Sequence, residues 1–577
     1  MRLTINKSKN HEFLYIKHSF RDKSGKSTTK NIRKLGSMDK LMEELCTDRD
    51  GVIAWAKEQA RLETEKYREE NEEVTISFSP SSLIKKDQQR LYNCGYLFLQ
   101  SLLTDLRFDN ICRNIKNRHK YEYDLKAILE DLIFARVLEP GSKRSSYEFC
   151  HSLLEPPKYR LDQVYRALSV LSDESDYIQS EIYRNSNFIH SRNTSVLYYD
   201  CTNFYFEIEQ EKGDLKYGKS KENRPNPIIG MGLFMDADGI PLAFDLHPGN
   251  QNEQTTLRPF EKKVIRDFGL TRFIYCSDGG LGSLKNREFN DVGDRAYVIT
   301  QSLKKLPQEI KDTALSPQYF RLPGKRGYID ISQLDENDPA VFESVYYKEI
   351  PYETPSLPQT LIVTYSPKYK AYQRAIRKSQ IERARDMISS GGKLKKSRKN
   401  PNDPTRFITK TSTTKDGEAA DQEYCAINLE RIAEEERYDG FYAVVTDLED
   451  DSVQIIEINK RRWQIEECFR IMKTEFDGRP VYVSTKDSIK AHFLTCFLAL
   501  LVYRLLEIKL DKKYTCEKIL GTLKEMRVLD VEGHGYAPAY KRTDITDLLH
   551  ETFGFRTDTK IIKKKKMRSI IRKTKES

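Results

Sequence analysis

The chain has 577 residues, ten cysteines and a formal net charge of +10. A single hydrophobic core stops growing near roughly 250 to 300 residues, so this length predicts several domains. The cysteines form no Cys-x-x-Cys pair and no Cys/His cluster with zinc spacing, which argues against a structural zinc site and favours reduced thiols. The excess of basic side chains suits a polyanionic partner, although a solvated charged surface fits it equally well.

The N-terminal part of the sequence predicts a small β-rich unit followed by helices. Residues 12–36 are typical of two strands about a Ser-Gly turn, and a charged helical stretch follows to about residue 74. Between residues 84 and 190 the apolar residues keep helical spacing, as in "YDLKAILEDLIFARVL". We therefore predict a β-hairpin with a helix in residues 1–75 and a mainly helical domain in residues 76–190.

After Ser195 the sequence pattern changes to strands. "VLYYD" ends at Asp200, "IIGMGLFMDADGIPLAFDL" indicates two strands about an Asp-Gly turn, and "RFIYCSD" ends at Asp278 before a further strand, "RAYVIT". A helix that stops before Gly269 separates the strand pair from Asp278. A strand pair followed by strand-helix-strand units predicts a mixed sheet flanked by helices.

The sheet pattern is interrupted and then resumes at "GFYAVVTD". The simplest interpretation is a β-rich subdomain inserted into an α/β core. The predicted parts are a first core part (191–300), the insertion (301–438), a second core part (439–510), and a C-terminal helical region with a basic tail (511–577). The tail is expected to be a solvated end.

Two segments bear on the cellular location. The N-terminal "MRLTINKSKN" lacks the apolar stretch of a signal peptide, so secretion is not expected. The apolar "FLTCFLALLVYRLL" from Phe493 is shorter than a bilayer span and is followed by charge. We expect this stretch to be a core helix of a cytoplasmic protein without membrane contact.

Adjacent glutamates, Glu466 and Glu467, lie on the helix predicted after the second core strand. At about 100° per residue, Glu466 borders the apolar stripe of this helix, whereas Glu467 lies on the far side. The stripe consists of Ile465, Phe469, Met472 and Phe476. Glu466 is therefore predicted to reach a neighbouring site and Glu467 to point to water, although a salt-bridged amphipathic helix is the plainer interpretation of this stretch alone.

Three carboxylates can be combined into one site. Asp200 and Asp278 each end an apolar strand, and parallel neighbouring strands would present both side chains at one edge of the sheet. With Glu466 they form a set of oxygen donors without His or Cys, which suits Mg²⁺ or Mn²⁺. In a two-metal site one ion activates water or a 3′-hydroxyl, and the other stabilises the leaving oxygen of a phosphodiester. Each aspartate alone is equally explained as a turn or cap residue.

These residues and their order resemble the DDE insertion-sequence transposases of bacteria, which have an RNase H-like core with a β-strand insertion before the final Glu. The signature of that family is Tyr, two residues, Arg, three residues, Glu, six residues, Lys. Arg462, Glu466 and Lys473 match it, whereas Asn459 occupies the Tyr position. "YGKSKENRPNPIIGMGLFMDADGIPLAFDLHPGNQNEQTTL" and "ARVLEPGSKRSS" also resemble family segments, and the resemblance covers most of residues 10–510.

The resemblance implies cut-and-paste transposition by two protomers paired on the terminal inverted repeats of an insertion sequence. Asp200, Asp278 and Glu466 would hold two Mg²⁺ ions, replaceable by Mn²⁺, for phosphodiester hydrolysis and strand transfer into target DNA. DNA contacts are implied for residues 1–75 and 76–190, in a protein of the bacterial cytoplasm associated with the nucleoid. The implied phosphate contacts are Arg462, Lys473, Lys219, Lys221 and Arg224, the last three being equally explained as a charged loop.

Two other functions compete with the transposase. An RNase H-like nuclease would cleave without strand transfer, and a catalytically silent protein derived from a transposase would only bind DNA. If the element ends pass through a hairpin, the insertion lacks a Trp to stack on a flipped base, and a residue such as Phe407 is the candidate replacement.

Overall fold

The computed structural model describes residues 1–8, 11–21, 26–71, 75–77, 79–390, 402–413 and 419–576. These residues form two compact units. The smaller unit consists of Met1–Gln88 with Glu532–His534, and the larger of Gln89–Val531 with Gly535–Ser577. The first boundary therefore follows Gln88, not residue 75.

The smaller unit is a three-stranded antiparallel sheet followed by two helices. The strands and helices are β1 (Arg2–Ser8), β2 (His11–Arg21), β3 (Ser27–Ser37), α1 (Met38–Glu44) and α2 (Arg49–Asn71). The predicted hairpin is confirmed by the β2–β3 pairing, and β1 adds a strand that the sequence did not predict. Leu14 of β2 and Leu41 of α1 lie in the small core that joins sheet and helices.

The larger unit begins with a short strand and a helical region. Its elements are β4 (Leu91–Asn93), α3 (Tyr96–Asp105), α4 (Phe108–Arg118), α5 (Leu125–Leu138), α6 (Lys143–Cys150), α7 (Leu161–Asp173) and α8 (Ser175–Ser186). The Asp124 side chain caps α5 by accepting a hydrogen bond from the Ala127 amide, which satisfies a free helix N–H. The predicted helical character of this region is confirmed.

The centre of the larger unit is a mixed eight-stranded sheet. Its elements up to residue 300 are β5 (Val196–Tyr205), β6 (Ile228–Met235), β7 (Pro241–Pro248), α9 (Glu253–Phe268), β8 (Phe273–Ser277), α10 (Leu284–Asn290) and β9 (Arg295–Thr300). The strand order is β10-β11-β14-β9-β8-β5-β6-β7. β8 runs parallel to both β5 and β9, and the other pairs are antiparallel. The predicted mixed sheet is confirmed.

Part of the predicted insertion belongs to this sheet. Its elements are α11 (Gln308–Leu315), α12 (Pro339–Phe342), β10 (Tyr346–Pro351), β11 (Thr360–Tyr365), α13 (Pro367–Ser389), β12 (Ile408–Thr413), β13 (Ala419–Ile427) and α14 (Leu429–Glu436). β11 pairs with β14 (Phe441–Thr446) along its whole length, so β10 and β11 extend the core sheet. β12 and β13 form a separate hairpin.

Three helices follow the last sheet strand: α15 (Ser452–Lys460), α16 (Trp463–Thr474) and α17 (Lys486–Lys509). α17 has the length and apolar composition to cross a membrane, so the prediction that this stretch is too short is wrong. In the structure 89% of its apolar window is buried, against β7 and the helices α3, α5 and α7. Its burial is what the sequence predicts for a core helix.

The C-terminal region packs back onto the larger unit. It contains α18 (Cys516–Glu525), β15 (Arg527–Val531), β16 (Gly535–Pro538), α19 (Asp544–Phe553) and α20 (Lys564–Lys573). The expectation of a solvated tail is wrong, because α20 buries Met567 and Ile570 on one face. Met567 and Ile570 are three residues apart, a helical spacing that is easily overlooked among the surrounding lysines.

Candidate active site

The two predicted aspartates lie on neighbouring parallel strands. Tyr198 of β5 pairs with Cys276 of β8, so Asp200 and Asp278 stand two residues further along each strand, on the same face of the sheet. Asp200 does not end its strand as predicted, because the antiparallel pairing with β6 continues to Tyr205. Only the pairing with β8 stops before Asp200, and this opens the edge at which the carboxylates emerge.

Burial is the main influence on the carboxyl group of Asp200. Burial and, to a smaller extent, the negative charge of Asp278 raise the pKa of Asp200 to about 6. Lys221, the Cys201 amide at 2.7 Å and Arg462 oppose this effect without overcoming it. Asp200 is therefore a carboxyl group whose negative charge is incompletely compensated.

Arg462, at the start of α16, lies among these acids. Its Nη1 is 3.3 Å from Glu466 Oε1. Burial disfavours the guanidinium charge, yet the pKa of Arg462 is raised because Tyr442, Glu466, Asp200 and Asp278 all stabilise that charge. Its Nε is buried and has no hydrogen-bond partner among the described residues. Arg462 therefore lies within reach of the charges of these carboxylates, and its predicted phosphate contact stays a prediction.

Glu466 is paired with Arg462, one helical turn before it. Its side chain is 59% exposed and its resolved ion pair is the one with Arg462. Within the described residues, no three Asp, Glu, His or Cys side chains converge into a group that could hold a metal ion. The predicted trio of Asp200, Asp278 and Glu466 is thus not assembled into such a group, and the charges of all three carboxylates act on the guanidinium of Arg462.

Glu467 is placed differently from the helical-wheel prediction. It does not point to water but accepts a 2.9 Å hydrogen bond from Arg504 of α17, and it is 27% exposed. Cys468 and Ile471 are also buried. Cys468 and Ile471 make the buried face of α16 wider than the predicted apolar stripe. Glu467 therefore lies at the edge of that buried face.

A tyrosine that the sequence did not single out lies beside Arg462. Asn459, at the signature's Tyr position, is 8% exposed and donates from Nδ2 to the hydroxyl of Tyr442 at 3.1 Å. That hydroxyl is 2.6 Å from Thr300 Oγ1. A phenolic group is thus supplied to this region by β14. The only feature of the sequence that pointed to Tyr442 was the unusual Asn459 in the signature. Asn459 alone does not identify Tyr442 as its hydrogen-bond partner, because Tyr442 lies on a different element, β14.

The remaining predicted cations lie along one side of the aspartates. Lys221 donates to the carbonyl oxygen of Cys201 and lies 3.6 Å from Glu253. Lys219 is exposed, and Arg224 stacks 5.0 Å from the Tyr205 ring centre. Lys473 is bound to Glu222 at 3.3 Å. Lys221 is therefore near the acids, whereas Arg224 and Lys473 belong to a second cluster at the far end of β5.

The stacking role considered for Phe407 is wrong for this structure. Its ring is fully buried, under the guanidinium of Arg406 at 4.2 Å. A base has no access to a ring in that position.

The model of one protein family, described as "Transposase DDE domain", matches residues 194–502. This match covers more than half of the chain and runs from the start of β5 into α17. The chain belongs to the transposase DDE domain family. Asp200, Asp278 and Glu466 all lie inside the matched region of this transposase.

No curated protein matches the transposase. Among solved structures, it is similar to a cryo-EM structure of the piggyBac transposase synaptic complex with hairpin DNA, at 8% identity and a TM-score of 0.34. That similarity covers 85% of this chain and 87% of the other.

The raised pKa of Asp200 has a measurable effect on the stability of the metal-free transposase. A buried carboxyl whose folded pKa is about 6, against about 3.8 unfolded, costs stability above pH 6 and nothing below pH 4. We expect Asp200→Asn to raise the free energy of unfolding at pH 8 by up to about 3 kcal/mol. The gain should shrink as the pH falls through 6 and vanish below about 4.

This prediction is measured by urea unfolding in EDTA at several pH values. Asp238→Asn, in the β6–β7 turn, is a matched control because Asp238 is paired with His190 at 3.1 Å and lies outside the cluster. A stability gain that is the same at every pH would contradict the argument.

Proposed function

We propose that this transposase cuts the ends of a bacterial insertion sequence and joins them to target DNA by cut-and-paste transposition. The observation that carries the proposal is the pair Asp200 and Asp278 on adjacent parallel strands, facing Arg462 within the matched transposase domain. The partners are double-stranded DNA, as terminal inverted repeats and as target, and a second copy of the chain in the synaptic complex. The expected location is the cytoplasm, on the nucleoid and away from membranes.

The strand order supports an RNase H-like core for this reaction. β7, β6 and β5 are consecutive antiparallel neighbours, and β8 and β9 then add parallel strands on the other side of β5. This arrangement places Asp200 on the central strand and Asp278 at the end of the next. As the resemblance implies, the second core part (residues 439–510) would bring α16, with Glu466, to the face of the sheet that carries the two aspartates.

The donor set fits a hard divalent cation. Asp200 and Asp278 offer carboxylate oxygens, and the raised pKa of Asp200 shows a negative charge that a cation would stabilise. These two residues would hold Mg²⁺ or Mn²⁺, with Glu466 as the third predicted ligand. When bound, two such ions supply the Lewis acidity that phosphodiester hydrolysis and transfer need.

The chain's own cations would position the DNA. Arg462 is paired with Glu466 and feels the charges of both aspartates, and from this position it would bind the phosphate next to the scissile bond. Lys221 lies beside Asp200 and would neutralise the same phosphate. Lys219 and Arg224, further along the same loop, would contact the backbone of the end duplex.

The proposed function is tested with the purified full-length protein, Mg²⁺ and a labelled plasmid that carries the genomic DNA flanking the reading frame on both sides. We expect 3′-hydroxyl ends at the element boundaries and joined products in an added target plasmid. Cleavage without joined products would support the nuclease alternative. Binding without cleavage would support the silent DNA-binding alternative.

Tyr442 provides a narrower test of how Arg462 is held. The Tyr442 hydroxyl links Thr300 and Asn459 beside Arg462. We expect Tyr442→Phe to lower the cleavage rate by about 10-fold, because Arg462 loses a polar neighbour while the ring still packs. Single-turnover cleavage measures the effect, and Tyr372→Phe, at an exposed ring of α13, is the control. An unchanged rate for Tyr442→Phe would exclude this role.

A further inference from the structure

Lys473, a predicted DNA contact, and the neighbouring Arg479 are both paired with one carboxylate of the chain. Glu222 Oε1 lies 3.3 Å from Lys473 Nζ, and its Oε2 contacts the guanidinium of Arg479. All three side chains are largely buried, at 21%, 13% and 25% exposure respectively. This is a semi-buried ion cluster rather than one of the solvated surface pairs that contribute little.

The cluster is built around two aromatic rings at the end of β5. Lys473 Nζ lies 5.3 Å from the Phe204 ring centre. The guanidinium groups of Arg479 and Arg224 lie 5.9 and 5.0 Å from that of Tyr205. Lys473 of α16, Arg479 of the α16–α17 connection and Arg224 of the β5–β6 connection thus gather at the rings of β5. The flat rings keep the guanidinium planes in position.

The loop that carries Glu222 is fixed to β5. The Asn203 side chain accepts from the Lys221 amide and donates to the Lys219 carbonyl, both at 3.1 Å. Ser220 Oγ accepts from the Glu222 and Arg224 amides, each at 3.2 Å. Asn223 has φ +57°, a left-handed conformation that Asn tolerates. This turn directs Glu222 inward while Arg224 stacks outside.

The cluster carries more positive than negative charge. Lys473 and Arg479 both contact the one carboxylate of Glu222, and Arg224 shares the Tyr205 ring with Arg479. Lys221, which lies 3.6 Å from Glu253, adds a further cation near Lys473. Burial and the charge of Lys221 lower the pKa of Lys473 to about 8 despite its contact with Glu222. One carboxylate therefore leaves the site electrostatically unsaturated. A phosphodiester, whose two free oxygens share one negative charge, has the same local shape and could bridge Lys473 and Arg479 in its place.

We propose that Lys473 and Arg479 form a phosphodiester subsite for DNA, and that Glu222 occupies it as a phosphate mimic until DNA displaces it. The inference rests on the proposed function and extends it in two respects. Arg479, outside the family signature, becomes a DNA contact. Glu222 becomes a competitor that weakens binding to DNA of any sequence.

The test compares Glu222→Gln with the full-length wild type in binding a 40-base-pair duplex in EDTA over a range of NaCl concentrations. We expect Glu222→Gln to bind about 10-fold more tightly, because the displaced side chain is neutral. The slope of log K against log salt should steepen by about 1, since the cations now release counterions on binding. The matched control is Glu211→Gln, in the same connection, whose carboxylate pairs with Lys216 at 3.2 Å. It removes the same charge and should change neither quantity as much.

Three further variants complete the test. Glu222→Asp keeps the charge and should bind DNA as the wild type does. Lys473→Gln with Arg479→Gln should weaken binding, and adding Glu222→Gln to that pair should restore nothing. Melting temperatures show whether each variant folds.

Two results distinguish the phosphate-mimic inference from the proposed function on which it rests. Equal affinity and equal salt slope for Glu222→Gln and wild type, in a protein that binds and cleaves DNA, would overturn the phosphate-mimic inference alone. A wild type and a Glu222→Gln protein that both fail to bind DNA would overturn the proposed function and this inference with it.

Discussion

Replacing Asp200 or Asp278 by asparagine is expected to lower Mg²⁺-dependent cleavage of element ends by about 10³-fold or more. The amide has nearly the shape of the carboxylate but lacks the charge that a hard cation requires. Binding to the ends in EDTA should stay within about threefold of wild type, since neither aspartate is a phosphate contact. Single-turnover cleavage and gel-shift measurements on the same preparations separate the two effects.

The two aspartates are expected to behave as one unit. The double variant should be no worse than either single one, because each carboxylate is needed for the same step. Asp238→Asn again serves as the control for the loss of one charge near the sheet. Near-normal cleavage by Asp200→Asn or by Asp278→Asn would contradict the assignment of that residue.

The second large effect is expected from the adjacent glutamates of α16. Glu466→Gln should reduce cleavage by about 10²-fold or more, because it removes the third predicted metal ligand and the partner of Arg462. Glu467→Gln should leave the rate nearly unchanged. It should instead lower the free energy of unfolding by about 1 kcal/mol, since its hydrogen bond to the buried Arg504 loses its charge.

The pair is informative because the two substitutions are chemically identical and one position apart. Rates and unfolding curves of both proteins, measured side by side, place each glutamate either in the reaction or in the packing of α16 on α17. Loss of cleavage in Glu467→Gln with retention in Glu466→Gln would reverse the assignment.

The central strands were predictable because their signals are local. The hairpin at Ile228 and the strand that precedes Asp278 are apolar runs bounded by turn residues, and the structure forms both. The pairing of β11 with β14 was not predictable, because 75 residues lie between the end of β11 at Tyr365 and the start of β14 at Phe441. Sheet register over such a distance depends on tertiary packing, which periodicity does not encode.

In the candidate site, too, side-chain contacts between distant segments could not be predicted from local sequence patterns. The positions of Asp200 and Asp278 on one face follow from their strands, whereas the fate of Glu467 depends on Arg504 of another helix. The helical wheel used only the stripe within α16, so it could not include a cation arriving from α17. Tyr442 and Glu222 were missed for the same reason, since their roles are contacts between distant segments.

Helix α17 has a consequence for how this transposase can be divided. One buried helix contacts β7 of the catalytic sheet and α3, α5 and α7 of the helical region, so both share a single hydrophobic core. The end of the chain adds to this, because Thr574 bonds to Gln100 and Thr104 of α3. A fragment ending near residue 190 would expose the apolar faces that α17 and α20 cover, and is expected to aggregate. The helical region and the sheet therefore form one cooperative folding unit.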